Sequence, residues 1–273
     1  MAPPYIIKAS GQQEAFDEEK AQRSLYRAGA SAALVKETAA AIRRRVRPGV
    51  RTDVIYETAR QHLARHQPEI AARYSLKRAI MALGPAGYVF EQFVARLFEA
   101  QGYRTRVGQV VFGACVGHEV DVTAERDGQR VMVECKFHNR SGARSDVKVA
   151  LYTQARFEDL RKGSSGYTLG WLVTNTRVTS EAERYAQCVS LNVVAWRTPY
   201  QRGLEHWIES QGLYPVTVLG SVSRQELNVL MNAGVLSAVD VTSRSLNDLI
   251  QFGLRRRAAE SLLLEVQRLT PRP

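Results

Sequence analysis

The stretch from Gly117 to Phe137 constrains this chain more than any other. Two runs of strand-like residues, Gly117-His118-Glu119-Val120-Asp121-Val122-Thr123-Ala124 and Val131-Met132-Val133-Glu134-Cys135-Lys136-Phe137, flank the dipeptide Asp127-Gly128. Asp-Gly in that setting marks a two-residue type I′ turn, which needs positive φ at both central positions. With Asp127-Gly128 in the turn, Arg126 faces Gln129. Counting outward along the antiparallel pair sets Asp121 opposite Glu134 and Glu119 opposite Lys136. Side chains alternate between faces. One face then carries Glu119, Asp121, Thr123, Met132, Glu134 and Lys136, and the other, with Val120, Val122, Ala124, Val131, Val133 and Cys135, reads as core.

The charged face specifies a chemistry. Carboxylates directly opposite each other, with Cβ atoms roughly 4.5–5.5 Å apart, repel unless a cation lies between them. Mg²⁺ is such a cation, commonly held by one or two carboxylates together with water and phosphate oxygens. Lys136 could orient and deprotonate a water, or neutralise charge on a phosphorane-like transition state. These are the parts of phosphodiester hydrolysis. The competing reading is a hairpin with a solvated charged face, on which Glu134 and Lys136 merely pair with cross-strand neighbours. Register separates the two, because a one-residue slip would send Asp121 to the other face.

Length and charge bound the rest. At 273 residues the chain exceeds a single modal domain and predicts two or three. Thirty-eight Lys and Arg against 27 Asp and Glu give +11, which favours a polyanionic partner over a neutral metabolite. The excess concentrates at the front, where residues 1–88 hold 15 basic and 8 acidic side chains. Cys115, Cys135 and Cys188 are odd in number and lack CxxC spacing, so a disulfide framework or zinc knuckle is not expected and a reducing cytoplasm fits. No targeting pattern opens the chain and no long apolar run crosses it, so no membrane association is expected.

Along the chain, a short hairpin signal spans Tyr5 to Phe16 around Ser10-Gly11, and helical patterns follow near 17–29, 31–47, 51–66 and 68–83. Gly84-Pro85-Ala86-Gly87 reads as a boundary. Val89, Phe90, Phe93, Val94, Leu97 and Phe98 then form the apolar stripe of a helix ending at Gly102, with Glu91 beside it. After the hairpin come a helix over about 145–161, a strand near 167–174, a helix capped by Thr179 or Ser180, and a strand at 191–196. That order implies parallel strands joined by crossover helices. The remainder reads as helical, with the capping box Ser223-x-x-Glu226, Gly234 closing a short helix and Arg255 to Arg257 opening a final one. His118 and His138 flank the hairpin strands but lack a second His at ligand spacing, which leaves a His metal site disfavoured there.

The run from Tyr88 to about Pro199 resembles the Mrr-type restriction endonuclease domain of the PD-(D/E)xK nuclease superfamily. The resemblance rests on a helix with Glu91, Gly-x-x-x-Asp121, Glu134-Cys-Lys136, and the strand Gly170 to Asn175 followed by Thr179 and Ala182. It implies an αβββαβ core and Mg²⁺-dependent (or Mn²⁺-dependent) cleavage of double-stranded DNA. Asp121 and Glu134 would be the metal ligands, Lys136 the catalytic lysine, Glu91 an accessory acid and Gln154 a supporting residue. Relatives often have Gln immediately before the Cys-Lys pair; the acid here favours metal binding.

Residues 5–88 resemble an ATP-cone, a small nucleotide-binding regulatory domain, through Ile6-Ile7-Lys8 leading into Gly11, Glu14-Ala-Phe16-Asp17-Glu-Glu-Lys20, and Ala72-Arg-Tyr74-Ser-Leu-Lys-Arg78. The resemblance implies ATP or dATP as ligand, with Lys8 and Lys20 on the triphosphate, Glu14 and Asp17 at the base or ribose end, and Tyr74 and Arg78 closing the pocket. Ala9 stands where a second basic residue is usual, which puts the nucleotide preference in question. The alternative is a basic helical bundle that touches DNA directly through Lys20 and Arg43 to Arg47.

The expected architecture is therefore multidomain: an α-helical ATP-cone with a β-hairpin lid over 1–87, an α/β restriction-endonuclease-like core over 88–200, and a small C-terminal helical region over 201–273. The expected function is a cytoplasmic, homo-oligomeric, adenine-nucleotide-regulated DNA endonuclease. A nucleotide-responsive DNA-binding regulator with an inactive nuclease fold is the alternative.

Overall fold

The structure is a computed structural model that describes residues 4–8, 10–84, 87–140 and 142–269. The chain divides into two compact units, Met1–Lys77 with Leu264–Pro273, and Arg78–Leu263. Residues 201–263 of the expected C-terminal helical region fall in the second unit with the nuclease-like core. Pro85 and Ala86 of the expected boundary, and Ala9, lie outside the described residues.

The first unit contains β1 (Tyr5–Ile7), β2 (Gln13–Ala15), α1 (Glu18–Arg27), α2 (Ala32–Arg43), β3 (Val50–Arg51), α3 (Thr52–His66) and the start of α4 (Pro68–Met81). The hairpin forms as its signal predicts, with β1 and β2 antiparallel and Ile6 opposite Glu14. A third strand was not foreseen: β3 pairs parallel to β1, Ile6 against Val50. Two residues carry no periodicity that could announce it. Side-chain caps start the first two helices, from Asp17 on α1 and Ser31 on α2. Ile6, Leu25, Leu34, Val35, Ile42, Ile55, Leu63 and Ile70 interlock as the buried core.

The second unit begins with α5 (Gly87–Glu99), β4 (Arg104–Phe112), β5 (Gly117–Arg126) and β6 (Gln129–Lys136). It continues through β7 (Arg144–Ser145), α6 (Val147–Lys162), β8 (Leu169–Thr174), β9 (Arg177–Val178), α7 (Ser180–Cys188) and β10 (Asn192–Val194). The five-stranded sheet runs β10-β8-β6-β5-β4. β4, β5 and β6 are antiparallel neighbours, whereas β8 lies parallel to both β6 and β10, as the strand, helix, strand order requires. Periodicity alone announced only two strands before α6; β4 escaped it because this edge strand leaves apolar Val110 and Phe112 exposed.

Asp127 at φ 51° and Gly128 at φ 77° form the tight turn that the dipeptide predicted. From that turn the register holds through Arg126–Gln129, Glu125–Arg130, Ala124–Val131, Thr123–Met132 and Val122–Val133. The expectation for the faces needs correction. Thr123 and Met132, placed on the charged face, are buried: the Thr123 hydroxyl bonds the Tyr167 hydroxyl at 2.6 Å, and Met132 packs with Phe157, Leu160 and Tyr167. Crossover connections cover both faces of such a sheet. Val120 joins the same cluster as Met132, so the strict alternation from Val120 to Val122 breaks at Asp121. Opposite that break β4 carries Gly108, at φ 64°. A residue in the left-handed region interrupts the pleat without costing the strand its register.

After the sheet in sequence come α8 (Leu204–Gln211), a 3₁₀ turn (Val216–Val218), α9 (Arg224–Asn232), α10 (Ala238–Thr242), α11 (Leu246–Gln251) and α12 (Arg256–Leu269), whose last residues belong to the first unit. The capping box at Ser223 and Glu226 forms as read, and two more, Ser237 with Asp240 and Ser245 with Asp248, use the shorter acid. Trp207 of α8 explains why this region is no separate body. Its ring centroid lies 5.5 Å from that of buried Phe98 of α5 and 5.6 Å from that of Trp171 of β8, in an aromatic cluster that also includes Tyr103.

Candidate active site

The sheet forks at Asp121. Val122–Val133 is the last backbone rung between β5 and β6, and the expected Asp121–Glu134 rung does not form. The Asp121 carboxylate takes its place, with Oδ2 accepting the Cys135 amide at 2.7 Å. Beyond this point β5 continues along β4, while β6 continues along β8 with Glu134 opposite Leu172 and Lys136 opposite Thr174.

Four carboxylates meet there. Glu91 enters from the first turns of α5, and burial, followed by the charges of Asp121, Glu119 and Glu134, pushes its pKa up to about 7. Glu134 is likewise pushed up to about 7, by burial first and Asp121 second, against the opposing pull of Arg156 and Lys136. Asp121 is raised by burial, although the Cys135 amide and Arg156 work the other way. The Cys135 thiol, sealed among these acids, is raised far above its ordinary range by burial and then by their charge. Clustered, partly desolvated carboxylates that elevate one another are a site short of positive charge.

Arg156 supplies some of that charge. From α6 it donates to the Glu134 carboxylate and, at 3.0 Å, to the Glu119 carbonyl, while its other terminal nitrogen donates to the Tyr152 hydroxyl at 2.8 Å. Neither Arg156 nor Tyr152 belongs to the pattern that carries the nuclease resemblance, which implies Gln154 as the supporting residue on this helix. Gln154 is buried and donates to Glu158 at 3.1 Å, and its carbonyl oxygen has no hydrogen-bond partner among the described residues. The 152 and 156 positions are one helical turn apart, a spacing that marks a shared face but not which face.

Lys136 sits at the exposed end of β6 and is held through its backbone. Its carbonyl accepts the Thr174 hydroxyl at 2.7 Å, and two residues later His138 exchanges two hydrogen bonds with the buried Asn175 side chain, at 2.8 and 2.9 Å. The two hairpin histidines serve structural bonds: His138 to the Ser145 hydroxyl at 3.0 Å, His118 to Asp159 at 2.8 Å.

The oxygen-only donors Asp121, Glu134, Glu91 and the Glu119 carbonyl suit a hard divalent cation. They are not drawn into a closed cage. Among the described residues, the set of three ligand-type groups whose donor atoms lie within 4.8 Å of one another is elsewhere, at Glu37, His62 and His66.

In the first unit the residues expected around a nucleotide are engaged with one another. Glu14 bridges Lys8 at 2.7 Å and Lys20 at 3.7 Å, and the Lys8 hydrogen bond holds its carboxyl below the usual range. Asp17 caps α1 by accepting the Lys20 amide at 2.9 Å, and pairs with Arg23 at 3.5 Å. In the structure Glu14 thus lies between the two lysines expected at the phosphates. Tyr74 stacks on Tyr56, a partner not foreseen, with ring centroids 5.3 Å apart. Arg78 follows Tyr74 by four residues on α4 and is the first residue of the second compact unit.

Two family models match the chain, one described as an ATP cone domain over residues 4–82 and one described as a restriction endonuclease domain of the Mrr type over residues 85–199. An uncharacterized protein from Archaeoglobus fulgidus is 40% identical over 176 residues, which are 64% of this chain and 99% of that one. A crystal structure of a protein of unknown function, 40% identical, superposes with a TM-score of 0.60 over 67% of this chain and 98% of its own. The MspJI restriction endonuclease in complex with a 27-mer oligonucleotide overlaps more loosely, at 16% identity and a TM-score of 0.39, over 66% of this chain and 39% of that one.

Proposed function

The chain belongs to the Mrr-type restriction endonuclease family, with an ATP cone domain preceding the nuclease domain in sequence, and from that premise we propose that it is a Mg²⁺-dependent endonuclease of double-stranded DNA regulated by ATP or dATP. The observation that carries this reading is the convergence of Glu91, Asp121 and Glu134 at the strand fork beside Lys136, with Glu91 and Glu134 both raised to about 7. Asp121 and Glu134 would hold the ion, Mg²⁺ or Mn²⁺, which when bound would polarise the scissile phosphate and acidify the attacking water.

The remaining work falls to the protein's own groups. Lys136, its backbone fixed by Thr174, offers its ammonium to the charge that develops on the phosphoryl oxygens and helps to orient the water. Glu91, with a pKa near neutrality, is suited to accept or return a proton at the edge of the site. Arg156 fixes the Glu134 rotamer and, released from it, is free to face a phosphate. The +11 net charge favours DNA approach. Nucleotide at Lys8 and Lys20 would act on cleavage only through different affinities for two conformational or assembly states.

One observation favours a second reading, a DNA-binding regulator with an inactive nuclease fold: Arg156 already neutralises Glu134. Supercoiled plasmid incubated with the full chain and Mg²⁺ or Mn²⁺, with and without ATP or dATP, decides between them. Nicked or linear product that disappears with chelator and with Asp121→Asn is the expected result. Binding without cleavage under every metal and nucleotide condition would support the regulator instead.

A further inference from the structure

The first unit holds a cluster unrelated to either the nuclease fork or the lysines of the hairpin. His62 and His66 lie one turn apart on α3, their rings stacked with centroids 4.5 Å apart. Glu37 approaches from α2, and one donor atom from each of the three lies within 4.8 Å of the others. We propose that Glu37, His62 and His66 form a separate metal site of the zinc class that ties α2 to α3.

The hydrogen bonds around the two rings engage Nδ1 of each and leave Nε2 of each to a metal. Nδ1 of His66 lies 2.8 Å from the carbonyl oxygen of His62. A carbonyl only accepts, so that Nδ1 carries the proton and Nε2 keeps its lone pair in the neutral ring. Nδ1 of His62 lies 3.0 Å from the hydroxyl of Thr38, a fully buried residue on α2. A hydroxyl accepts as readily as it donates, so metal at Nε2 is compatible with an Nδ1–H donated to Thr38. Metal-bound histidines are commonly oriented through their second nitrogen in this way.

The donor chemistry separates this site from the fork. Two imidazoles and one carboxylate suit Zn²⁺, Co²⁺ or Ni²⁺, whereas an all-oxygen set suits Mg²⁺ or Mn²⁺. His-x-x-x-His on one helical face provides two ligands at the proper spacing, and a carboxylate from a neighbouring helix completes three, with the fourth tetrahedral position open to water. Glu37 and His66 are exposed, so an ion reaches the cluster without rearrangement of the core.

The test uses the full chain in an Asp121→Asn, Glu134→Gln background, which removes the fork as a competing site. Calorimetric titration with Zn²⁺ should give one ion per chain, and Co²⁺ should give the visible d–d absorption of a low-coordinate site. His66→Gln, at an exposed position that leaves the fold intact, should weaken Zn²⁺ binding at least about tenfold and abolish the Co²⁺ band. Thr38→Val, which removes only the orienting hydroxyl, should weaken it by roughly tenfold. Zn²⁺ should raise the melting midpoint of the background protein and leave that of His66→Gln unmoved. A Co²⁺ band and Zn²⁺ affinity that survive His66→Gln, or the absence of both from the background protein, would overturn the assignment.

Discussion

The acids of the two units face opposite electrostatic problems. At the fork, Glu91, Asp121 and Glu134 are partly desolvated and raise one another, with Arg156 as the close counter-charge on Glu134. At the hairpin of the first unit, Glu14 is solvated, paired to Lys8 and Lys20, and held below its ordinary range. The first arrangement is costly until a cation arrives. The second is satisfied until an anion competes for the lysines. Burial decides between them: it disfavours the charged form at the fork, whereas at the solvated hairpin Glu14 keeps its charge and its lysine partners.

The contrast breaks most directly at the fork. Asp121→Asn or Glu134→Gln should lower metal-dependent cleavage by roughly a hundredfold to a thousandfold, the scale for removing one group aimed at transition-state charge. DNA binding by the same proteins should persist or tighten, since a charge that repels phosphate has gone. Gel-shift and cleavage measurements on one preparation separate the two effects. Cleavage at the wild-type rate in either variant would remove these residues from the site.

The scaffold beneath the fork can be broken without touching its charges. Phe98 is almost fully buried among Tyr103, Trp171 and Trp207. Phe98→Ala should destabilise the second unit by about 3–5 kcal/mol, the usual cost of deleting a buried aromatic ring. Chemical denaturation followed by tryptophan fluorescence reports on that cluster, because Trp171 and Trp207 are part of it. A loss below about 1 kcal/mol would mean that α8 is not integral to the core.

The hairpin that built the fork was legible because its information is local. Asp127-Gly128 fixes the turn and the alternation around it fixes the register, and five rungs follow. What lies one residue further was not legible. The pleat break at Asp121 coincides with Gly108 of another strand, and where the next rung would stand the Asp121 carboxylate accepts the Cys135 amide. Arg156 and Tyr152 reach Glu134 only because α6 presents that face to the sheet, a tertiary fact. Helical periodicity in 201–273 likewise does not show which residue joins the region to the core, a contact made by Trp207 on Phe98. At the hairpin, the ATP-cone resemblance implied separate places for Glu14 and for Lys8 and Lys20, and no local pattern shows the bridge that sets Glu14 against both lysines in the structure.

The fork should also respond to pH in a direction set by its raised acids. Glu91 and Glu134 titrate at about 7 in the folded chain against 4.5 for an ordinary glutamate. The folded state therefore binds more protons than the unfolded one between those values, and stability falls as pH rises through that window. Metal-free protein should lose melting temperature from pH 4.5 to 7. Mg²⁺ should restore part of the loss at pH 7, because it stabilises the ionised acids, and Glu91→Gln should flatten the metal-free slope. Melting curves at several pH values, with Mg²⁺ or chelator, test this. A slope unchanged in Glu91→Gln would place the raised charge elsewhere.

The smallest effect belongs to the hairpin, and it separates two roles for one residue. The ATP-cone resemblance places Glu14 at the base or ribose end of a bound nucleotide, whereas the structure puts its carboxylate between Lys8 and Lys20. If Glu14 is a stand-in for phosphate, a triphosphate must displace it, and the exposed ion pairs that are lost contribute little, at most about 1 kcal/mol each. Glu14→Gln should then tighten ATP or dATP binding severalfold, because both lysines no longer have a competing anion. Lys8→Ala and Lys20→Ala should weaken it, while the metal-dependent chemistry of Asp121, Glu134 and Lys136 is retained. Equilibrium binding to the full chain, at constant ionic strength, measures all three variants. Weaker binding in Glu14→Gln would mean that the carboxylate swings away from the lysines to contact the nucleotide itself, and the two units would then share a common device: an acid whose partner in the free protein is not its partner in the working one.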